Sequence, residues 1–345
     1  MAVLRVPADF PTIQDAVERA APGDTIRVAG GVYEGAVFIE GGKDRLAIIG
    51  SGPGNSILQG VGDGPGFRIS NSSHVTIAGF TVTGFFFGVL VFLNSTDNTI
   101  HDVTATDCQV GFAVLEQEAG RNLFFNVAGI RNRGNGLATP SPLTYVIGGE
   151  FRGNPGTGVS LSTAACYAIG NRISGNGNGL GGEFNLQTFV IDNHVSGNTF
   201  GIMAEAPLTF GNSATRNLEA GFIPSQDIPV LALENEISCN QGVGVRVFTG
   251  NAIKFIFNQI ENNGLEGVAL DANSVGGVID DNKIEGNGAS GVRLDAGARD
   301  NAVRRNVIKG NNPDIAVQAP AGTGNVFDEN RCATSVPAGL CPCDD

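Results

Sequence analysis

Tryptophan is absent from this 345-residue chain, tyrosine occurs three times, methionine twice and histidine three times. With so few flat rings, any glycan-stacking surface has to draw on the 21 phenylalanines. His74, His101 and His194 stand far apart, and the nearest two, His74 and His101, are out of register, so a zinc or copper centre is not supported. Charge is also scarce. Only 16% of residues are charged, and 21 Lys and Arg face 34 Asp and Glu for a formal net charge of -13. Such a chain lacks the clustered cations that neutralise nucleic-acid phosphates or an anionic membrane surface. No apolar run reaches the roughly 18 residues of a membrane-spanning helix, and residues 1–10 lack the charged-then-apolar layout of a signal peptide. The chain therefore reads as extracellular or cell-surface material whose leader is gone, with an intracellular location as the alternative. Disorder is excluded by 41% hydrophobic residues.

What the chain has in plenty is glycine, 51 residues of it, and a ladder of asparagines. Asn171, Asn193, Asn212, Asn235, Asn258, Asn282, Asn306 and Asn330 recur 19 to 24 residues apart. Five residues behind them run Asn176, Asn198, Asn217, Asn240, Asn263, Asn287 and Asn311. The two series keep step through the short interval, so they belong to one repeating unit. Within a unit such as 282–295, apolar Ile284, Val292 and Leu294 alternate with Lys283, Glu285, Arg293 and Asp295. A period of two broken by Asn and Gly reads as strand-turn-strand, with no stretch long enough for a helix.

A unit this short cannot bury its own apolar face and must stack on its neighbours, which makes the chain a solenoid. A leucine-rich horseshoe is the competing solenoid, but the inward positions here are Val, Ile, Phe and Ala. The expected fold is all-β: a single-stranded right-handed parallel β-helix of about 12 coils with an N-terminal capping helix. Inward asparagines then bond the same residue one coil away. The glycines nine residues past the first ladder (Gly88, Gly111, Gly158, Gly221, Gly244, Gly267, Gly291) are expected at turns that bar a Cβ. Asp102 and Asn126 stand at ladder spacing, and a projecting loop is expected around 131–142, where Pro, Gly and Asn crowd together.

Three regions follow: 1–30 as cap and first strand, 31–330 as the β-helix, and 331–345 as a cysteine-bearing tail. The only helical pattern starts at Thr12 as N-cap with Asp15 at N3, places Ile13, Val17 and Ala20 on one face, and stops at Pro22-Gly23. It would cover strand edges that otherwise recruit other chains. Thr25-Ile-Arg-Val reads as the first strand. Cys108, Cys166 and Cys239 are scattered and read as small packed residues. Cys332, Cys341 and Cys343 cluster, and a Cys332–Cys341 bridge would pin the last coil and point to an oxidising compartment.

The opening Phe10-x-Thr12-Ile13-Gln14-x-Ala16-Val17, then Pro22-Gly23-Asp24-Thr25-Ile26-x-Val28 and Gly31-x-Tyr33, resembles the start of pectate-lyase-like β-helix proteins. The later Asn-x-Ile-x-x-Asn units, such as 235–240, are similar to that superfamily's generic repeats. The likeness spans nearly the whole chain and implies the fold. As to activity it implies a choice among polysaccharide lyases, glycoside hydrolases, epimerases, phage tailspikes and surface proteins. Gln226-Asp227 matches only a fragment of the pectin methylesterase pattern, and the Asp-Pro-His signature of alginate epimerases is missing.

Thirteen residues past the first ladder lies an outward row that includes Phe92, Leu115, Glu183, Glu205, Phe248, Asp271 and Asp295. Glu183 and Glu205 fall on neighbouring coils, where a carboxyl pair about 5 Å apart suits a retaining glycosidase, one as acid and one as nucleophile. The plain alternative is two solvated glutamates. One residue past the ladder, Glu150, Arg172, His194, Ser213, Glu236, Gln259 and Lys283 form a second row. There His194 is a candidate base and Arg172 a candidate anchor for a uronate, as a lyase requires; surface ion pairs give the same row. Asp271 and Asp295 either bind Ca²⁺ or pair with Arg246 and Arg293, salt bridging being the simpler reading. No other cofactor is expected. Gly84-Phe-Phe-Phe-Gly88 must expose at least one ring if side chains alternate. With Phe92 and Leu115 it makes an apolar patch suited to a homo-oligomer interface. The function expected is polysaccharide recognition or processing, by a lyase, hydrolase or epimerase; the alternative is a non-catalytic coat, spike or adhesion solenoid.

Overall fold

The computed structural model describes residues 1–116, 118–162, 165–181, 188–204, 206–224, 229–251, 253–320 and 322–341. They fall into two compact units, Met1–Gly177 and Asn178–Asp345. Each is a parallel β-solenoid in which successive coils stack strand on strand, as in Leu123–Phe125 on Tyr145–Ile147 and Glu236–Ser238 on Gln259–Glu261. A coil contributes three short strands, for example Tyr145–Ile147, Glu150–Arg152 and Thr157–Leu161. One of the three lines up in a sheet of its own, with six strands in the first unit, and in the second unit likewise with eight. That makes about fourteen turns, more than the twelve expected. The surplus lies where the asparagine spacing gives no guide.

The first unit opens with the strand Val3–Val6, paired in parallel with Thr25–Val28. The first strand thus precedes the helix, and its alternation is visible in buried Leu4 and Val6. The helix Ile13–Arg19 starts where Thr12 accepts a bond from the Asp15 backbone N–H at 3.1 Å. It buries Ile13, Ala16 and Val17 against the strands Val3–Val6, Thr25–Val28 and Val37–Glu40. Asp24 closes the turn behind it by accepting from the backbone N–H of Ala2 at 2.6 Å and of Ala21 at 3.0 Å. Those two donors hold its carboxyl below the usual range.

Alternation decides which side chains enter the core, and register then stacks like upon like. In the first unit Ile77, Ile100, Phe124, Val146 and Ala168 form one buried file and Phe67, Val89, Phe112, Leu137 and Val159 another. The second unit repeats the pattern with Ile237, Ile260, Ile284 and Ile308, and with Val245, Val268, Val292 and Ile315. Each buried Val, Leu, Ile or Phe of these files contributes about 2 kcal/mol, and stacking many coils adds up what no single coil could supply alone.

The asparagine ladders close the polar account of the turns. In the second unit Asn193, Asn212, Asn235, Asn258, Asn282, Asn306 and Asn330 form one chain and Asn198, Asn217, Asn240, Asn263, Asn287 and Asn311 the other. Every oxygen in these steps accepts from the Nδ2 of the residue one coil back, and the same oxygen takes that residue's backbone N–H, as Asn258 Oδ1 does from Asn235 at 2.9 Å each. The second ladder ends on Asp314, whose Oδ1 accepts from Asn311 and whose Oδ2 accepts from Ala333 and Thr334. A disulfide between Cys332 and Cys341 fastens the segment beyond.

Four local expectations are corrected. Residues 131–142 form no projecting loop: Asn132 is a buried ladder member bonded to Asn154, and Leu137–Thr139 pairs in register with Val159–Leu161. Asp102 and Asn126 sit one residue before the ladder position, with φ of +51° and +50°, and bond each other on the outside. The glycines nine residues past the ladder have no positive φ. They are required by close approach: a Cβ on Gly221 would lie 2.5 Å from Asn240 Nδ2 and 2.6 Å from Ile237 Cγ2. The left-handed residue is instead the one before each first-ladder asparagine, such as Asp192, Glu234, Phe257, Asp281 and Arg305. Finally Cys239 is exposed, whereas Cys108 and Cys166 are buried as expected; burial pushes the Cys108 thiol up to about 11.

Candidate functional site

On the outer side of the separate sheet in the second unit, the strand Val243–Asn251 pairs with Val268–Val275. Their register is Val245 to Val268, Arg246 to Ala269 and Val247 to Leu270, then slips between Val247 and Thr249. Such an irregularity re-aims side chains locally. Val245 and Val247 are buried, so Arg246 and Phe248 take the outward positions. The Arg246 guanidinium lies 4.4 Å from the centre of the Phe248 ring.

Ala269 separates Arg246 from Arg293 along one row, two residues before Asp271 on the same strand. Asp271 meets both guanidinium groups. Its Oδ2 accepts from Arg246 Nε and Nη2 at 3.2 Å each, and its Oδ1 stands 3.6 Å from Arg293 Nη2. Arg293 also accompanies Asp295, and its Nε lies 2.9 Å from Glu266 Oε1 in an ion pair that does not align the N–H with the oxygen. Asp271 and Asp295 therefore face guanidinium groups rather than each other, in the salt-bridge arrangement that the sequence favoured.

Beside this cluster opens a cleft of about 400 Å³. Ala220, Gly242 and Val243 line it together with the apolar side chains of Phe200, Leu218, Ile223, Phe248 and Leu265. Glu219, Gln241 and Arg246 supply its polar groups. Phe200, Ala220 and Val243 are successive register partners, so the stacking of coils assembles the cleft. The open hollow thus presents apolar and polar surface in about equal measure, as a sugar with a C–H face and hydroxyls requires.

The residues singled out in the sequence are placed as follows. Glu183 and Glu205 lie outside the described residues, as do Gln226, Asp227 and Cys343. Arg172 is exposed and pairs in register with Glu150, whose Oε1 accepts from Arg152 at 2.8 Å. His194 is exposed beside Ser213, on a strand of the other sheet from Phe248 and Asp271. His101 pairs with Ala78, not His74, and its Nδ1 meets Asp102 Oδ2 at 2.8 Å. Phe92 and Leu115 lie in the first unit, both half-buried, and Phe86 is the exposed ring of its triplet at 45%. Sequence reasoning found Phe248, Arg246 and Asp271 but missed Phe200, Leu218, Glu219, Gln241 and Leu265. These occupy the first and second positions past successive second-ladder asparagines, a signal that was there to be read.

A family model described as "Right handed beta helix region" matches residues 209–340. Among solved structures, the A-module of the Azotobacter vinelandii mannuronan C-5 epimerase AlgE6 is similar at 17% identity and a TM-score of 0.60, over 93% of this chain and 94% of that one. The A-module of AlgE4 from the same organism gives 16% and 0.58, over 93% and 92%. A tailspike protein of E. coli bacteriophage HK620 gives 12% and 0.52, over 92% and 73%. These likenesses share the fold. No curated protein matches the chain by sequence. A second family model, described as "Periplasmic copper-binding protein (NosD)", matches residues 46–227, which is more than half of the chain. The coils, ladders and this match together make the protein a right-handed parallel β-helix belonging to the NosD family.

Proposed function

We propose that the chain recognises polysaccharide through the cleft beside Phe248, either as a binding protein or as part of a processing enzyme. The observation that carries this reading is the arrangement of Phe200 and Phe248 with Glu219, Gln241 and Arg246 around one hollow on a strand-built face. Rings supply flat apolar surface for the C–H face of a sugar, and the polar groups at the rim reach its hydroxyls. Two structural neighbours, the A-module of a mannuronan C-5 epimerase and a tailspike in complex with a pentasaccharide, support the scaffold's suitability. Among the described residues no helix is long and apolar enough to cross a membrane. The Cys332–Cys341 bridge and the periplasmic description of the family support a location outside the cytoplasm.

The family's description raises copper, and the described residues do not fit it. Protein-bound copper takes imidazole, thiolate or thioether ligands. Cys108 and Cys166 are buried, and among the described residues no three His, Cys, Asp or Glu side chains are grouped to hold an ion.

For a processing reaction, Glu183 and Glu205 are the candidate acid and nucleophile of a hydrolase, while His194 and Arg172, the candidate base and uronate anchor of a lyase, belong to different units and neither lines the cleft. Product chemistry separates them. Neutral and uronic polysaccharides are incubated with the full chain, and both reducing ends and the absorbance of unsaturated products are read, alongside retention of the protein on each polymer. Retention that Phe248→Ala abolishes supports the reading. No retention and no product on any polymer overturns it.

A further inference from the structure

We infer that the glycan taken by the cleft is uncharged. This rests on the polysaccharide reading above and narrows its substrate class. A uronate or sulfate needs a cation whose charge is not already balanced, and the one cation of the cleft's described lining, Arg246, is 42% exposed but paired with Asp271. Arg246 is the single cationic residue of the lining, and Asp271 already takes both its Nε and its Nη2 while the Phe248 ring covers one face of its guanidinium plane. Arg293, the next cation, is surrounded by Glu266, Asp271 and Asp295. Its side chain is only 18% exposed, which leaves little of it to turn toward a ligand.

Carboxylates outnumber guanidinium groups across the site. Glu219 on the rim, with Glu266, Asp271 and Asp295 behind it, stands against Arg246 and Arg293 alone. A polyanion approaching this face meets net negative potential, deepened by the chain's formal charge of -13. Hydroxyls meet the opposite situation. Glu219 can accept from them, the Gln241 amide can both donate and accept, and Phe200, Leu218, Ile223 and Leu265 cover ring C–H surface. The cleft thus matches a neutral hexose or pentose polymer, whereas the mannuronan named for the A-module neighbours is a polyuronate.

The test is calorimetric titration of the full chain with hexasaccharides of β-glucan, mannan and xylan, and with oligogalacturonate and oligomannuronate, at low and at physiological salt. The expected result is at least one neutral oligosaccharide bound tenfold or more tighter than either oligouronate. Neutral binding is unchanged by salt, and the oligouronates gain when salt screens the face. The exposed substitution Glu219→Lys, checked for folding by circular dichroism, is expected to raise oligouronate affinity at least fivefold. Wild-type protein that binds an oligouronate as tightly as every neutral ligand overturns the inference and leaves the polysaccharide reading standing. Failure to bind any of the five overturns that reading itself.

Discussion

Asn258 stands directly over Asn282, and both its backbone N–H and its Nδ2 donate to the one Oδ1 of Asn282 at 2.9 Å. Its own Oδ1 receives the same pair of bonds from Asn235, and its Nδ2 also reaches the Ala232 carbonyl at 3.0 Å. One buried side chain thus satisfies polar groups on three coils. Asn258→Ala orphans the Asn235 donors and is expected to cost about 2–4 kcal/mol. Asn258→Asp keeps the acceptor but sets a carboxylate oxygen against Asn282 Oδ1 and the Ala232 carbonyl, so it should cost more than alanine. Urea denaturation of both variants checks the order; an aspartate as stable as asparagine would contradict the ladder.

Glycine serves two different purposes, and they should respond differently to substitution. Gly221→Ala drives a Cβ into Asn240, Ile237 and the Gly244 carbonyl and should cost about 1–3 kcal/mol through overpacking. Gly197 has φ +63° with open space around it, and asparagine tolerates that conformation. Gly197→Asn should lose less than about 1 kcal/mol. Thermal melts of the two variants distinguish them.

Asp97 receives Arg121 Nε and Nη2 at 2.8 Å each, and this pairing holds its carboxyl down at about 2. A carboxyl whose folded value lies below its unfolded value of about 4 adds stability above the unfolded value and loses it as pH falls toward 2. Both side chains are partly exposed, so the contribution is under about 1 kcal/mol. Asp97→Asn should therefore be less stable than wild type at pH 6 by that amount and indistinguishable from it at pH 2. Denaturant midpoints at the two pH values measure the convergence; a constant gap would contradict the pairing.

Reduction of Cys332–Cys341 frees a short loop at the end of the second unit. Closing a loop of nine residues is worth about 2.5 kcal/mol in the chain-entropy account. Cys341→Ser is expected to accelerate hydrogen exchange first at Ser335–Val336 and its partner strand Ile315–Val317, leaving the coils before Asn306 unchanged. Equal acceleration throughout the unit would contradict a local clasp.

Much of the architecture was legible because the repeat is written in two asparagines whose side chains can satisfy a turn only when stacked. Thr12 as helix cap, the alternation that exposes Phe86, and the terminal bridge were legible for equally local reasons. The first unit was harder. There Val103, Val127 and Gly149 stand where the later coils carry asparagine, which made Asp102 and Asn126 look like ladder members. A further ladder step, Asn98 to Asn122 and again Asn301 to Asn325, went unread because it is interrupted between. The glycine row misled because close approach and left-handed backbone leave the same residue in the sequence. As for the cleft, its rings come from coils separated by loops of unequal length, so only register brings them together.

The most direct test is hydrogen exchange of the full chain with and without a saturating neutral glucan or mannan oligosaccharide. The expected protection is confined to Phe200–Ala204, Ala220–Pro224 and Val243–Asn251, and is lost in Phe248→Ala. Protection that falls instead on His194–Ser196 and Ser213–Thr215, or that persists in Phe248→Ala, would place the glycan elsewhere and contradict the account.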